Sequence, residues 1–196
     1  PGEQVVITEK IHGTNSRVGL VASGSEGEPP LFVCGSRSNQ TRQGVGSLYE
    51  VPLQMEPVRS LLRSVYDASP AATAVILFGE LYGSVQSLRY GHEKGAVSYR
   101  AFDISVNGRM MDWDDVVVAC EEHGVETVPL LYRGPFSVET LRELSGGDTT
   151  LGGGHMREGV VVHPAVERRD ERGRRVMLKR LSDEYRLRAE RISDSH

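Results

Sequence analysis

Val5-Val6-Ile7-Thr8-Glu9-Lys10-Ile11-His12-Gly13-Thr14-Asn15 opens the chain with a β-branched apolar run that delivers a lysine into a glycine turn. Lysine is scarce here: Lys10, Lys94 and Lys179 stand against twenty arginines. An amine can lose its proton and attack, whereas a guanidinium stays protonated, so a lysine held at such a turn fits a nucleophile's task. Taken by itself, the same residue also reads as a surface lysine at a strand end.

Working outward, apolar runs rich in β-branched residues recur at 5–9, 17–22, 31–35, 74–81, 97–106, 127–132, 159–163 and 175–179, each bounded by Gly, Pro, Asn or Asp. Asn107-Gly108 after Phe102-Asp103-Ile104-Ser105-Val106 tolerates the positive φ angles of a tight hairpin turn, and Asp170-Glu171-Arg172-Gly173 closes a second one. Helices are fewer. Pro57 precedes an apolar stripe of Val58, Leu61, Leu62 and Val65. Asp112 caps a segment through Val116, Val117 and Cys120 that stops at Gly124, Ser137 caps another through Leu141 and Leu144, and a last helix starts after Ser182. Strands joined mostly by hairpins, with occasional helices between, predict an α+β fold of antiparallel β-sheets flanked by helices.

The length of 196 residues suits one domain over 1–196, with 38% hydrophobic and 26% charged residues describing an ordinary globule. No apolar run is long enough to cross a bilayer, and no secretory signal is present, so no membrane partner is expected. Cys34 and Cys120 lack the spacing of a disulfide framework or metal cluster, which predicts reduced, buried thiols in a cytoplasmic setting. The net charge of −4 argues against nonspecific coating of nucleic acid. From Arg157 to Arg191, however, 11 Lys/Arg face 7 Asp/Glu, a local excess of +4 suited to a polyanion contact.

A GxxxxGK[ST] phosphate loop, a GxGxxG dinucleotide loop and a GxSxG nucleophile elbow are all missing from the sequence, which removes many kinase, dehydrogenase and hydrolase classes. What stands out instead is a series of strand-end stretches: Gly35-Ser36-Arg37-Ser38-Asn39, Phe78-Gly79-Glu80-Leu81-Tyr82-Gly83, Tyr99-Arg100-Ala101-Phe102-Asp103-Ile104, Arg157-Glu158-Gly159-Val160-Val161-Val162 and Met177-Leu178-Lys179-Arg180. Singly, each reads as ordinary structure, with Glu80 a turn acid, Phe102 a core residue, Glu158 a strand-end charge and Lys179 a solvated one. The glycine-rich stretch 146–154 just before Arg157-Glu158 reads either as a flap over a site or as a plain connection.

Together and in this order, these stretches resemble the signature motifs of the ATP-dependent polynucleotide ligase and capping-enzyme superfamily, and Glu9-Lys10-Ile11-His12-Gly13-Thr14-Asn15 resembles the RNA ligase 2 family in particular. The resemblance runs from Glu9 to about Tyr185 and implies the covalent nucleotidyltransferase (ligase adenylation domain) fold. It implies that Lys10 attacks the α-phosphorus of ATP to give a lysyl-adenylate and pyrophosphate, with Mg2+ or Mn2+ held by Glu158. Glu9 is implied to face the adenine edge, Asn15 to orient ribose, phosphate or a metal-bound water, and Arg37 to meet ribose or an incoming 5′-phosphate, with Arg17 as a competing candidate. Glu80 is implied to bind a ribose hydroxyl, Phe102 to stack on adenine, and Lys179 to contact the α-phosphate. Met177 departs from a pattern that reads Lys-x-Lys at the last motif, so Arg175, Arg180 or another cation substitutes there, or ligation is slower.

The resemblance further implies transfer of AMP to a 5′-phosphate RNA end and sealing to a 3′-hydroxyl, by a monomer. The accessory domain that such ligases carry for RNA ends is expected to be absent from this chain. Two alternatives stay open: a DNA ligase or GTP-dependent capping enzyme, which His12 and Asn15 disfavour, and a noncatalytic nucleotide- or RNA-binding module, which Met177 alone favours.

Overall fold

The structure is a computed structural model that describes every residue except 1, 26, 38–39, 43–45 and 194–196, and only the backbone at 40–42 and 189–193. Along the chain run β1 (Gln4–Lys10), β2 (Thr14–Val21), β3 (Leu31–Gly35), β4 (Gln40–Arg42), α1 (Glu56–Asp67), β5 (Ala74–Gly83), β6 (Val97–Val106) and β7 (Arg109–Met110). They are followed by α2 (Trp113–His123), β8 (Leu130–Pro135), α3 (Val138–Ser145), β9 (Gly159–Pro164), β10 (Leu178–Leu181) and α4 (Asp183–Ser193), with a 3-10 turn over Leu48–Gln54 before α1. Contacts divide the chain into two compact units, residues 1–13, 82–97 and 128–196 in the first and residues 14–81 and 98–127 in the second.

The first unit is built on a 4-stranded antiparallel sheet in the order β10-β9-β1-β8. Paired on both edges, β1 is buried from Val5 through Glu9, the expected fate of its apolar run. Val5, Ile7, Val160 and Val162 form one face of this core with Leu141 of α3, closed by Leu131, Tyr132, Phe136 and Leu144. Removing one such aliphatic side chain from water stabilises by about 1.5–3 kcal/mol. Ser137 caps α3 by accepting from Thr140 N at 3.0 Å, and Ser182 does the same for α4, accepting from Tyr185 N at 3.1 Å.

The second unit holds a 6-stranded sheet in the order β4-β3-β2-β5-β6-β7. Its core is Val18 and Leu20 of β2, Val75, Leu77 and Leu81 of β5 and Tyr99 and Ala101 of β6, with Val58, Leu61 and Leu62 buried on α1 and Trp113, Val116 and Cys120 on α2. The β6–β7 hairpin turns through Asn107 (φ 51°) and Gly108 (φ 79°), as their residue types predict. Asn107 does more than turn: its Oδ1 accepts from Thr73 N and Ala74 N at 2.8 and 3.0 Å, and its Nδ2 donates to Ala71 O at 2.8 Å. Cys34 and Cys120 are both buried and form no disulfide, and burial, with Glu121 adding to it, pushes the Cys120 thiol up to about 12.

Two strands lie later than their apolar runs suggest. Thr127 bridges Ala101 in the second unit and Pro129 breaks the run, so β8 starts only at Leu130. Arg175 pairs with Arg169 in the hairpin closed by Gly173 N donating to Asp170 O at 2.8 Å, and β10 begins at Leu178.

Candidate active-site residues

In the first unit the β1 ladder decides which side chains share a face. Lys10 pairs with Gly159, Glu9 with Val160 and Thr8 with Val161, while Lys179 pairs with Val161 and Arg180 with Val160. Directly paired residues point the same way and neighbours alternate. Thr8, Lys10 and Lys179 therefore lie on one face, and Ile7, Glu9 and Arg180 on the other, the face covered by α3.

Lys10 Nζ donates to Glu158 Oε1 at 2.7 Å. Glu158 is buried, and its Oε2 has no hydrogen-bond partner among the described residues. His12 Nδ1 lies 3.6 Å from that oxygen, an ion-pair distance rather than a hydrogen bond. Burial alone would raise the Glu158 carboxyl; the His12 ring and the Lys10 ammonium outweigh it and leave the group below its ordinary value. The His12 ring is held in turn by Ser87 Oγ at 3.3 Å from Nε2 and Tyr185 Oη at 3.2 Å from Nδ1, and its backbone N–H donates to Tyr90 Oη at 2.6 Å.

Glu9, the immediate neighbour of Lys10, is 1% exposed. Its carboxylate accepts from Thr149 Oγ1, and from Thr150 N and Oγ1 at 2.9 and 2.8 Å. The glycine-rich stretch before Arg157 is thus fastened to the strand that carries Lys10. Met177 leaves no cation at its position. Arg175 is taken by Glu167 through Nε and Nη2, both at 2.9 Å, and Arg180 belongs to the face away from Lys10.

In the second unit Asn15 pairs with Glu80 and Arg17 with Phe78. The opposite face is filled by Ser16, Val18, Leu77 and Gly79, and a Cβ at Gly79 would stand 2.3 Å from the Tyr99 ring. Tyr99 belongs to that buried face, so alternation along β6 puts Phe102 on the half-buried face with Asn15, Arg17, Phe78 and Glu80. Arg17 lies over the Phe78 ring at 5.4 Å, and the buried Oδ1 of Asn15 has no hydrogen-bond partner among the described residues. Arg37 follows β3 and is exposed; Ser38 and Asn39 of its motif lie outside the described residues.

The donors fit a hard divalent cation of the kind that binds one or two carboxylates and keeps its remaining sites for water and phosphate. Glu158 Oε2 is such an oxygen, and among the described residues no group of three His, Cys, Asp or Glu forms a closed protein cage.

A family model described as RNA ligase matches residues 3–181. The chain belongs to the RNA ligase family. A search of curated protein sequences gave no match. Among solved structures, this family member is similar to Naegleria gruberi RNA ligase in a point mutant with ATP and Mn, at 16% identity and TM-score 0.72 over 95% of this chain and 52% of that one. The same ligase with PPi gives 16% identity and TM-score 0.73 over 96% and 52%, and a mutant with AMP and Mn gives 16% and 0.72 over 95% and 52%. The chain therefore spans about half the length of these RNA ligases and shares the fold of that half. No helix among the described residues is long and apolar enough to cross a membrane.

The positions of Lys10, Glu158 and Lys179 bring three sequence-derived candidates to one sheet in the first unit, while Asn15, Glu80 and Phe102 share one face in the second. Thr149, Thr150, Arg157, Tyr90 and Tyr185 were not singled out by sequence, because their roles rest on contacts between segments far apart in the chain. Only the position of Arg157 beside Glu158 gave a local signal.

Proposed function

We propose that this chain is the adenylation domain of an ATP-dependent RNA ligase, with residues 1–196 acting together as one nucleotidyltransferase domain. The observation that carries the reading is the 2.7 Å contact between Lys10 Nζ and a buried Glu158 whose second oxygen has no hydrogen-bond partner among the described residues, on a sheet face shared with Lys179. In the first step Lys10, having given up a proton, forms an N–P bond to the α-phosphorus while the bond to the bridging oxygen breaks and pyrophosphate leaves. Glu158 holds the amine in place beforehand and would hold Mg2+ or Mn2+, which supplies charge neutralisation at the phosphates. Lys179 offsets charge on the α-phosphate.

Asn15, Glu80 and Phe102 take nucleoside contacts in this reading, and Arg37 or Arg17 a phosphate or ribose contact; the Asn15 Oδ1, without a hydrogen-bond partner among the described residues, supports a ligand role for that side chain. The adenylate then passes to a 5′-phosphate RNA end and a 3′-hydroxyl displaces AMP. The buried cysteines outside any disulfide support action in a reducing compartment, the cytoplasm, and we take the acting form to be a monomer.

The test is incubation with Mn2+ or Mg2+ and α-labelled ATP or GTP, followed by a denaturing gel. A covalent label from ATP that disappears in Lys10→Ala is expected. Label from GTP alone would move the reading to a capping enzyme, and no label from either would favour a noncatalytic module.

A further inference from the structure

Two consecutive residues of β1 meet the two residues that immediately precede β9, with charges crossed over. Lys10 faces Glu158 on one side of the sheet at 2.7 Å, and Glu9 faces Arg157 on the other, with Arg157 Nε 3.5 Å from Glu9 Oε2. Arg157 is itself buried and donates to the carbonyls of Leu144, Gly146 and Asp148 at 2.7, 3.2 and 3.0 Å, at the C-terminal end of α3. Glu9 completes the arrangement by accepting from Thr149 and Thr150. Arg157 Nε makes no hydrogen bond among the described residues, so its approach to Glu9 is a charge contact, and because both charges are buried, removing one side leaves the other stranded. Glu9 and Lys10, and likewise Arg157 and Glu158, are joined by one peptide unit with Cα atoms about 3.8 Å apart, so each residue on the far face shares backbone with one on the Lys10 face.

We propose that Glu9, Arg157, Thr149 and Thr150 form a positioning clamp that sets the Lys10–Glu158 geometry from the far side of the sheet, and that the Glu9 carboxylate does not read the adenine base. The clamp rests on the adenylation reading above for its effect on rate. Glu9 is then a positioning residue, acting on the nucleophile through the backbone it shares with it. The same logic makes the stretch 146–154 part of the site's support, since its threonines supply the hydrogen bonds that hold Glu9.

The experiment compares Glu9→Gln with the double variant Thr149→Val/Thr150→Val in single-turnover adduct formation from ATP and Mn2+, across ATP concentration and pH. The clamp predicts that both variants lose about tenfold or more in the maximal rate of adduct formation while the half-saturating ATP concentration stays within about twofold. It also predicts that the preference for ATP over GTP is kept and that the pH profile shifts in the same direction in both. A raised half-saturating ATP concentration with loss of ATP preference in Glu9→Gln, with the threonine variant behaving as wild type, would overturn it and make Glu9 a base-reading residue. Wild-type kinetics in both variants would overturn it as well. If the wild-type protein forms no adduct, the adenylation reading fails separately. The clamp is then judged by the acetic anhydride labelling rate of Lys10, with Lys94 as internal reference: it predicts a changed Lys10 rate in both variants, and an unchanged rate contradicts it. Single Thr150→Val, which removes one hydroxyl from the set, repeats the comparison should either variant fail to fold.

Discussion

Lys10 and Glu158 form a lopsided ion pair, in which the lysine side chain keeps 25% of its surface exposed while the glutamate keeps 8%. The cost of losing one partner is correspondingly unequal. Lys10→Met strands a buried carboxylate and is expected to destabilise the protein by about 1–3 kcal/mol in urea unfolding, whereas Lys10→Met/Glu158→Gln recovers part of that loss because no charge remains unpaired. A single variant as stable as wild type, or a double variant that is worse than the single, would show that the pair carries no such asymmetry.

The lowered Glu158 carboxyl links the same pair to pH. A folded-state value below the unfolded one contributes stability that is fully present above the ordinary carboxylate range and is lost as pH falls through the folded value. Urea midpoints measured in EDTA between neutral pH and the acid end should therefore fall for wild type, with part of the fall absent in Glu158→Gln. Identical pH dependence in the two proteins would remove Glu158 from the acid response.

Gly159 leaves no room for a side chain between β9 and β10: a Cβ there would stand 2.1 Å from Arg180 O, and the residue has φ 156°. Gly159 also pairs with both Lys10 and Leu181. Gly159→Ala must push β10 away and take Lys179 with it, at a cost of about 2–4 kcal/mol by the overpacking and strand-pairing effects involved. The expected outcome is a lower thermal midpoint together with weaker adduct formation. Unchanged adduct formation in a protein of lowered stability would show that Lys179 is not held through this contact.

How much of this was legible in sequence differs between the sheet and the site. Ala74, Val97 and Gly159 open strands where their β-branched runs begin, and Asn107-Gly108 turns where its φ demands are met, because these signals are local. Thr127 and Arg175 misled because each pairs outside the strand its run suggested, which only tertiary context decides. At the site, the motif put Lys10 and Glu9 side by side, and it is the ladder register that sends them to opposite faces of the sheet. Thr149 and Thr150 lie 140 residues or more from Glu9 along the chain, in a stretch whose composition marks only a loop. The partition of the candidates between two units likewise follows from long-range contacts, since the chain passes between them at positions 13, 81, 97 and 127 without a linker's composition.

The most direct measurement is peptide mass spectrometry of the protein after exposure to ATP and Mn2+. AMP is predicted on the peptide that contains Lys10 and on neither of those containing Lys94 and Lys179. AMP attached at another lysine, or a Lys10 peptide that stays unmodified at saturating nucleotide, would contradict the assignment of Lys10 as the nucleophile.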